Sequence, residues 1–231
     1  MNEALTTAIV RQHFDKFAHE LTIEEYQSTN ASINKLLVSA AKGVTGASKR
    51  GTGTGFPDFI IQFVDNRELV IVVECKADTK KHQSRAGDKY DTYAVDGAKL
   101  YASYLSKGFD VLAIAVSGQK KSELRVSSFL QMKGATQPTE IEWSKLLDPG
   151  SYLDYYLQSP EKYNQDYTSL LLFSKELNDT LHSYKIKENR RALLVSCILI
   201  ALRDDVFDED FGNSPLSIIE IPHLRAAAGC C

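Results

Sequence analysis

The stretch that most limits what this chain can fold into runs from Gly55 to Asp78, GFPDFIIQFVDNRELVIVVECKAD. Two runs rich in β-branched and aromatic residues, Phe59 to Val64 and Leu69 to Val73, flank the turn-forming pair Asp65-Asn66. That pattern predicts a β-hairpin. The second run is apolar at every position, which predicts a strand covered on both faces rather than a wet edge. Charges nevertheless stand where such a hairpin should be apolar. Asp58 opens the first strand, and Glu74 and Lys76 close the second, two residues apart and therefore on one face. Cys75 alternates with them and is expected to point into the core as a small hydrophobe.

Two carboxylates brought within about 4 Å repel by roughly 4 kcal/mol at an effective dielectric near 20. A divalent cation offsets that repulsion. Hard oxygen ligands without Cys or His favour magnesium over zinc, so Asp58 and Glu74 are candidate magnesium ligands. A partly desolvated Lys76 ammonium, with a lowered pKa, would hold or help deprotonate a water. The bland alternative is an exposed Glu74–Lys76 ion pair worth roughly 0–1 kcal/mol.

Pro57-Asp58, fifteen intervening residues after Asp58, and then Glu74-Cys75-Lys76 resemble the PD-(D/E)xK nuclease motif in all its charged positions. The resemblance implies a restriction-endonuclease-like α/β fold, a mixed central sheet flanked by helices, and a catalytic set of Asp58, Glu74 and Lys76. It implies hydrolysis of phosphodiesters in double-stranded DNA with Mg2+, for which Mn2+ substitutes. In this family a helix before the hairpin often supplies a third acidic ligand. Glu24 and Glu25 are the available candidates and Glu25 the chosen one, although a capping role explains Glu25 equally well.

The 231 residues suffice for one ordinary domain with room for a small second one. A hydrophobic content of 43% and a net charge of −3 fit a soluble globular chain without a global basic signature. DNA contacts must then come from local clusters of Lys and Arg. No secretory signal or membrane-length apolar run is apparent, and the four cysteines have neither disulfide-framework nor metal spacing. A cytoplasmic location is expected.

Along the chain, Ile9, Val10, Phe14, Phe17 and Leu21 predict a first amphipathic helix over 3–20. Thr22-Ile23-Glu24-Glu25 has capping-box order and predicts a helix start at Thr22. Asn30 or Ser32 introduces a further helix that ends at Gly43. The Gly-rich loop 43–55 lacks the Lys-Ser/Thr of a phosphate-binding loop and follows a helix rather than a strand. It reads as a plain connector or as a loop beside the site with Lys49 and Arg50 available for DNA phosphates. The polar run 78–91 offers Lys80, Lys81, Arg85 and Lys89 for the same purpose, or is simply solvated. His82 within it has no partner spacing and is not proposed as a base.

Tyr93 to Ser106 predicts a helix and Val111 to Val116 a buried strand; the resemblance implies further polar site residues on this helix, for which Asp96, Lys99 and Tyr101 are candidates, although Tyr101 is more simply core. The order resembles the αβββαβ core of these nucleases, with the short third strand either hidden at the hairpin's start or formed by Leu124 to Phe129. Composition shifts at Asp148-Pro149-Gly150, which divides a nuclease domain over 1–150 from a helical connector over 151–231. Helices with apolar faces there need a partner to cover them. This half is loosely similar to the connector of restriction enzymes that fuse cleavage and methylation in one polypeptide (type IIG-like). No methyltransferase motif precedes Cys231. Base recognition is then expected from a methyltransferase or specificity region beyond this sequence, or from a separate subunit. The competing functions are a repair or junction-resolving nuclease of the same fold and a non-catalytic DNA-binding or scaffold module.

Overall fold

The computed structural model describes residues 3–43 and 56–201. Two compact units divide after Tyr163. The first is built on a six-stranded mixed sheet: β1 (Leu21–Glu24), β2 (Phe59–Phe63), β3 (Leu69–Lys76), β4 (Asp110–Ser117), β5 (Arg125–Gln131) and β6 (Thr139–Ile141) lie side by side in chain order. Neighbours are antiparallel except β3 and β4, which run parallel and are joined through helix α3 (Ala94–Leu105). Helices α1 (Glu3–Phe14), α2 (Ala31–Gly43) and α4 (Pro149–Gln158) complete this unit, with the start of α5 (Pro160–Ser183).

The unbroken apolar run of β3 is explained by coverage of both sheet faces. Leu69, Ile71, Val73 and Cys75 pack with Val10 and Phe14 of α1 and Tyr152 and Tyr156 of α4. Val70 and Val72 face the other way, onto Ile33 and Leu37 of α2 and Ala98 and Leu105 of α3. All these side chains are buried, and each large aliphatic one contributes about 1.5–3 kcal/mol relative to exposure. The α/β class and the helix-flanked mixed sheet are those expected.

Three local expectations differ. Thr22 does not cap a helix: Leu21–Glu24 is strand β1, paired antiparallel with β2 from Leu21↔Phe63 to Glu24↔Ile60. Leu21 and Ile23 alternate onto the core, and pairing with β2 outweighs a four-residue capping pattern. The cap of α2 is instead Asn30, whose Oδ1 accepts from the Ser32 and Ile33 amides at 3.0 and 3.4 Å. Thus the third strand beside the hairpin comes from before α2, whereas Arg125–Gln131 pairs on the far side of β4. The first helix also stops at Phe14 and continues only as a 3-10 turn to Phe17, because Leu21 is already in β1.

The Asp148-Pro149-Gly150 break is a helix start. Asp148 Oδ1 accepts from the Ser151 amide at 2.9 Å, and Pro149 occupies the first helical turn. The compact unit runs on to Tyr163 because Tyr152 and Tyr156 are fully buried in the sheet core and Tyr156 Oη donates to Asp110 Oδ2 at 2.7 Å.

The second unit, from Asn164, holds the rest of α5 and helix α6 (Glu188–Ala201). Arg191 ties its helices together through the Ile186 carbonyl at 2.9 Å and Asn178 Oδ1 at 2.7 Å. Leu170, Leu172, Leu193 and Ile200 are exposed. No helix among the described residues is long and apolar enough to cross a membrane.

Candidate active site

The β2–β3 pairing Phe59↔Val73, continued one step, sets Asp58 opposite Glu74. Asp58 Oδ2 accepts from the Cys75 amide at 2.7 Å, which locks the carboxylate across the strand ends. Glu74 is buried; its Oε1 accepts from Lys76 Nζ at 2.6 Å, while its Oε2 is buried with no hydrogen-bond partner. Cys75, between them, points into the opposite core as expected. The hairpin therefore gathers Asp58, Glu74 and Lys76 where the strands meet α3, and the Glu74–Lys76 pair is not an exposed surface pair.

A residue the sequence reading did not single out completes the group. Glu3, in the first turn of α1, places Oε1 3.1 Å from Lys76 Nζ. Its helix is held there by Thr6, one turn on, whose buried Oγ1 donates to the Gly118 carbonyl at 2.8 Å. An acid in a first helical turn is too common to mark a site, so no local signal pointed to Glu3. Glu25, the expected third ligand, lies just past β1 and is half exposed in an ion pair with Arg11 at 3.0 Å. Glu24 is spent on the Thr29 amide. Neither bonds to Asp58, Glu74 or Lys76, although the Glu25 charge is felt at Asp58.

Burial governs the electrostatics. Asp58 is pushed up to about 6 by desolvation; the Cys75 amide and Lys76 pull back, and Glu3 and Glu25 push further. Glu74 rises to about 8 by desolvation, with Lys76 pulling back and Asp58 adding. For Lys76 the expected lowering does not hold. Desolvation acts downward, but Glu74, Glu3 and Asp58 together outweigh it and raise the lysine above its ordinary value. The surrounding carboxylates keep Lys76 an ammonium.

Helix α3 walls the site. Gly97 sits so close that a Cβ there would stand 3.1 Å from Glu74 Cγ and 2.8 Å from the Tyr90 carbonyl. Tyr101, buried on the same helix, is raised well above the ordinary phenol by burial and by the Glu74 and Asp58 charges. Lys99 points elsewhere, over the Phe129 ring at 4.2 Å. Asp96 organises the loop that follows β3: it accepts from the Ser84 amide at 3.2 Å, the Ser84 hydroxyl and the Lys89 amide at 2.9 Å. That loop presents Lys80, Lys81, Arg85 and Lys89 to solvent, and among the described residues none of the four is in an ion pair. Lys49 and Arg50 lie outside the described residues.

His82 pins the same loop. Its Nδ1 and Nε2 lie 2.8 and 3.0 Å from the Ser117 and Ser127 hydroxyls, and its carbonyl accepts from the Val95 amide. Burial, assisted by Arg125, lowers the imidazole to about 4 from 6.5. Because the folded value lies below the unfolded one, this contribution is fully present above about pH 6.5. It is lost as the pH falls toward 4, a change of about 3 kcal/mol. Urea unfolding of the wild type and of His82→Gln between pH 4 and 7 should give a stability difference that shrinks with acid. A pH-independent difference would rule out the neutral buried imidazole.

Among the described residues no three His, Cys, Asp or Glu side chains form a ready-made metal cage. No family model, curated protein or solved structure matches the chain.

Proposed function

We propose that this chain is a magnesium-dependent DNA endonuclease that hydrolyses phosphodiesters, the cleavage part of a restriction-modification enzyme. The observation that carries this reading is the buried, unpartnered Glu74 Oε2, beside Asp58 and fixed by Lys76 through its other oxygen. A buried carboxylate oxygen without a donor is costly unless a cation or a water satisfies it. Two carboxylates suit magnesium, which keeps several waters and is commonly held by one or two carboxylates together with substrate phosphates. Manganese has the same preference for oxygen. The element order supports the reading too: α1, then the antiparallel β1, β2 and β3, then α3 and a parallel β4, with α2 inserted after β1.

In this mechanism Asp58 and Glu74 would hold the cation, with Glu3 a further acid beside Lys76. When bound, the cation supplies charge stabilisation at the phosphate oxygens and lowers the pKa of a water. Lys76, kept charged by its acidic neighbours, donates rather than accepts: it orients the attacking water or the scissile phosphate. The exposed Lys80, Lys81, Arg85 and Lys89 hold the phosphate backbone without reading bases.

Supercoiled plasmid incubated with the purified chain and magnesium tests this. Weak nicking without a recurring site, abolished by chelation, is expected, because direct readout needs groove-entering elements that the described loops do not supply. No nicking with magnesium or manganese at any enzyme concentration would reject the endonuclease reading.

A further inference from the structure

On the α1 flank of the sheet lies a cleft of about 270 Å³ whose chemistry differs from that of the carboxylate site. Lys16 enters from the turn after α1, Lys121 from the turn between β4 and β5, and Lys145 from the segment before α4. Leu124 and Val126 line its apolar part. Two cross-links hold the walls. His13 Nε2 donates to the Leu147 carbonyl at 2.8 Å, and Lys121 Nζ donates to Gln12 Oε1 at 3.1 Å.

No residue lining the cleft is acidic. Among the described residues, none of the three lysines forms an ion pair. The negative end of α1 accounts for a cation at Lys16, but Lys121 and Lys145 arrive from other parts of the chain. In a chain of net charge −3, three like charges drawn to one cleft without a counter-ion repel one another, and an anion relieves that repulsion. We infer that this cleft binds a phosphate-bearing ligand, through Lys16, Lys121 and Lys145, independently of the carboxylate site. The phosphate comes from a small free compound or from the backbone of a nucleic acid.

Calorimetry on the full chain in EDTA, which prevents cleavage, separates the two sources. The probes are inorganic pyrophosphate and a 20-base-pair duplex, each titrated into the wild type and into Lys16→Gln/Lys121→Gln/Lys145→Gln. Tenfold or greater weakening of pyrophosphate binding in the triple variant supports a small free ligand. A duplex salt slope lower by about three units in the variant supports the backbone. Equal affinity and equal salt slope in both proteins, or no binding of either probe to the wild type, overturns the inference. Circular dichroism melting of the variant confirms its fold, and these exposed lysines should leave it intact. Asp58→Asn should bind pyrophosphate like the wild type, so failure of the nuclease reading leaves this result standing.

Discussion

Asp58→Asn, Glu74→Gln and Lys76→Met should each lower magnesium-dependent plasmid cleavage by about 10³-fold or more, since the two carboxylates would hold the cation and Lys76 would orient the attacking water or the scissile phosphate. The same substitutions should separate on stability. Glu3, Asp58 and Glu74 surround the single Lys76, and Glu74 Oε2 is buried without a donor. In chelator at about pH 9, above the Glu74 value of about 8, Glu74→Gln removes one negative charge from this surplus and should melt a few degrees higher than the wild type, a gain of about 1–2 kcal/mol. Lys76→Met removes the only counter-charge paired with them among the described residues and should melt lower. Added magnesium should raise the wild-type melting temperature and leave Glu74→Gln unmoved. Thermal melts with and without magnesium, beside the cleavage assay, decide the matter. Full activity in Glu74→Gln would reject the assignment, and an equal magnesium response would remove Glu74 from the metal site.

Gly97→Ala should have the second largest effect. Its Cβ would meet the Tyr90 carbonyl oxygen at 2.8 Å and Glu74 Cγ at 3.1 Å. A backbone oxygen cannot rotate away as a side chain can, so α3 or the loop before it must shift. Overpacking of this kind costs about 1–3 kcal/mol. A displacement of Glu74 approaching 1 Å would lower cleavage by about 10²-fold. Urea unfolding and single-turnover cleavage measure the two effects separately. Wild-type values in both would mean that α3 does not set the position of Glu74.

Much of this was legible from residues alone because strand geometry is local. Alternation along Leu69 to Lys76 put Cys75 on one face and Glu74 and Lys76 on the other, whereas the register that sets Asp58 against Glu74 comes from a longer 64–68 connection, since a two-residue turn at Asp65-Asn66 would have set Asp58 against Val73. The unbroken apolar run already required helices on both faces of β3. The same locality misled at Thr22 to Glu25, where a plausible capping box lost to a strand partner far along the chain.

Contacts between distant segments follow from the packed fold and not from local pattern. Glu3 reaches Lys76 because Thr6 docks α1 on Gly118. Tyr152 and Tyr156 carry α4 into the sheet core past an apparent domain break. His82, unremarkable in a polar run, is buried between two serines from different strands. The Lys76 charge follows from the same cause. Its sequence neighbours suggested a lysine discharged by desolvation, but the sign of the shift depends on how many carboxylates the fold brings within reach. Periodicity fixes which face a side chain takes; helix docking, set by the summed packing of the whole core, fixes what it meets there.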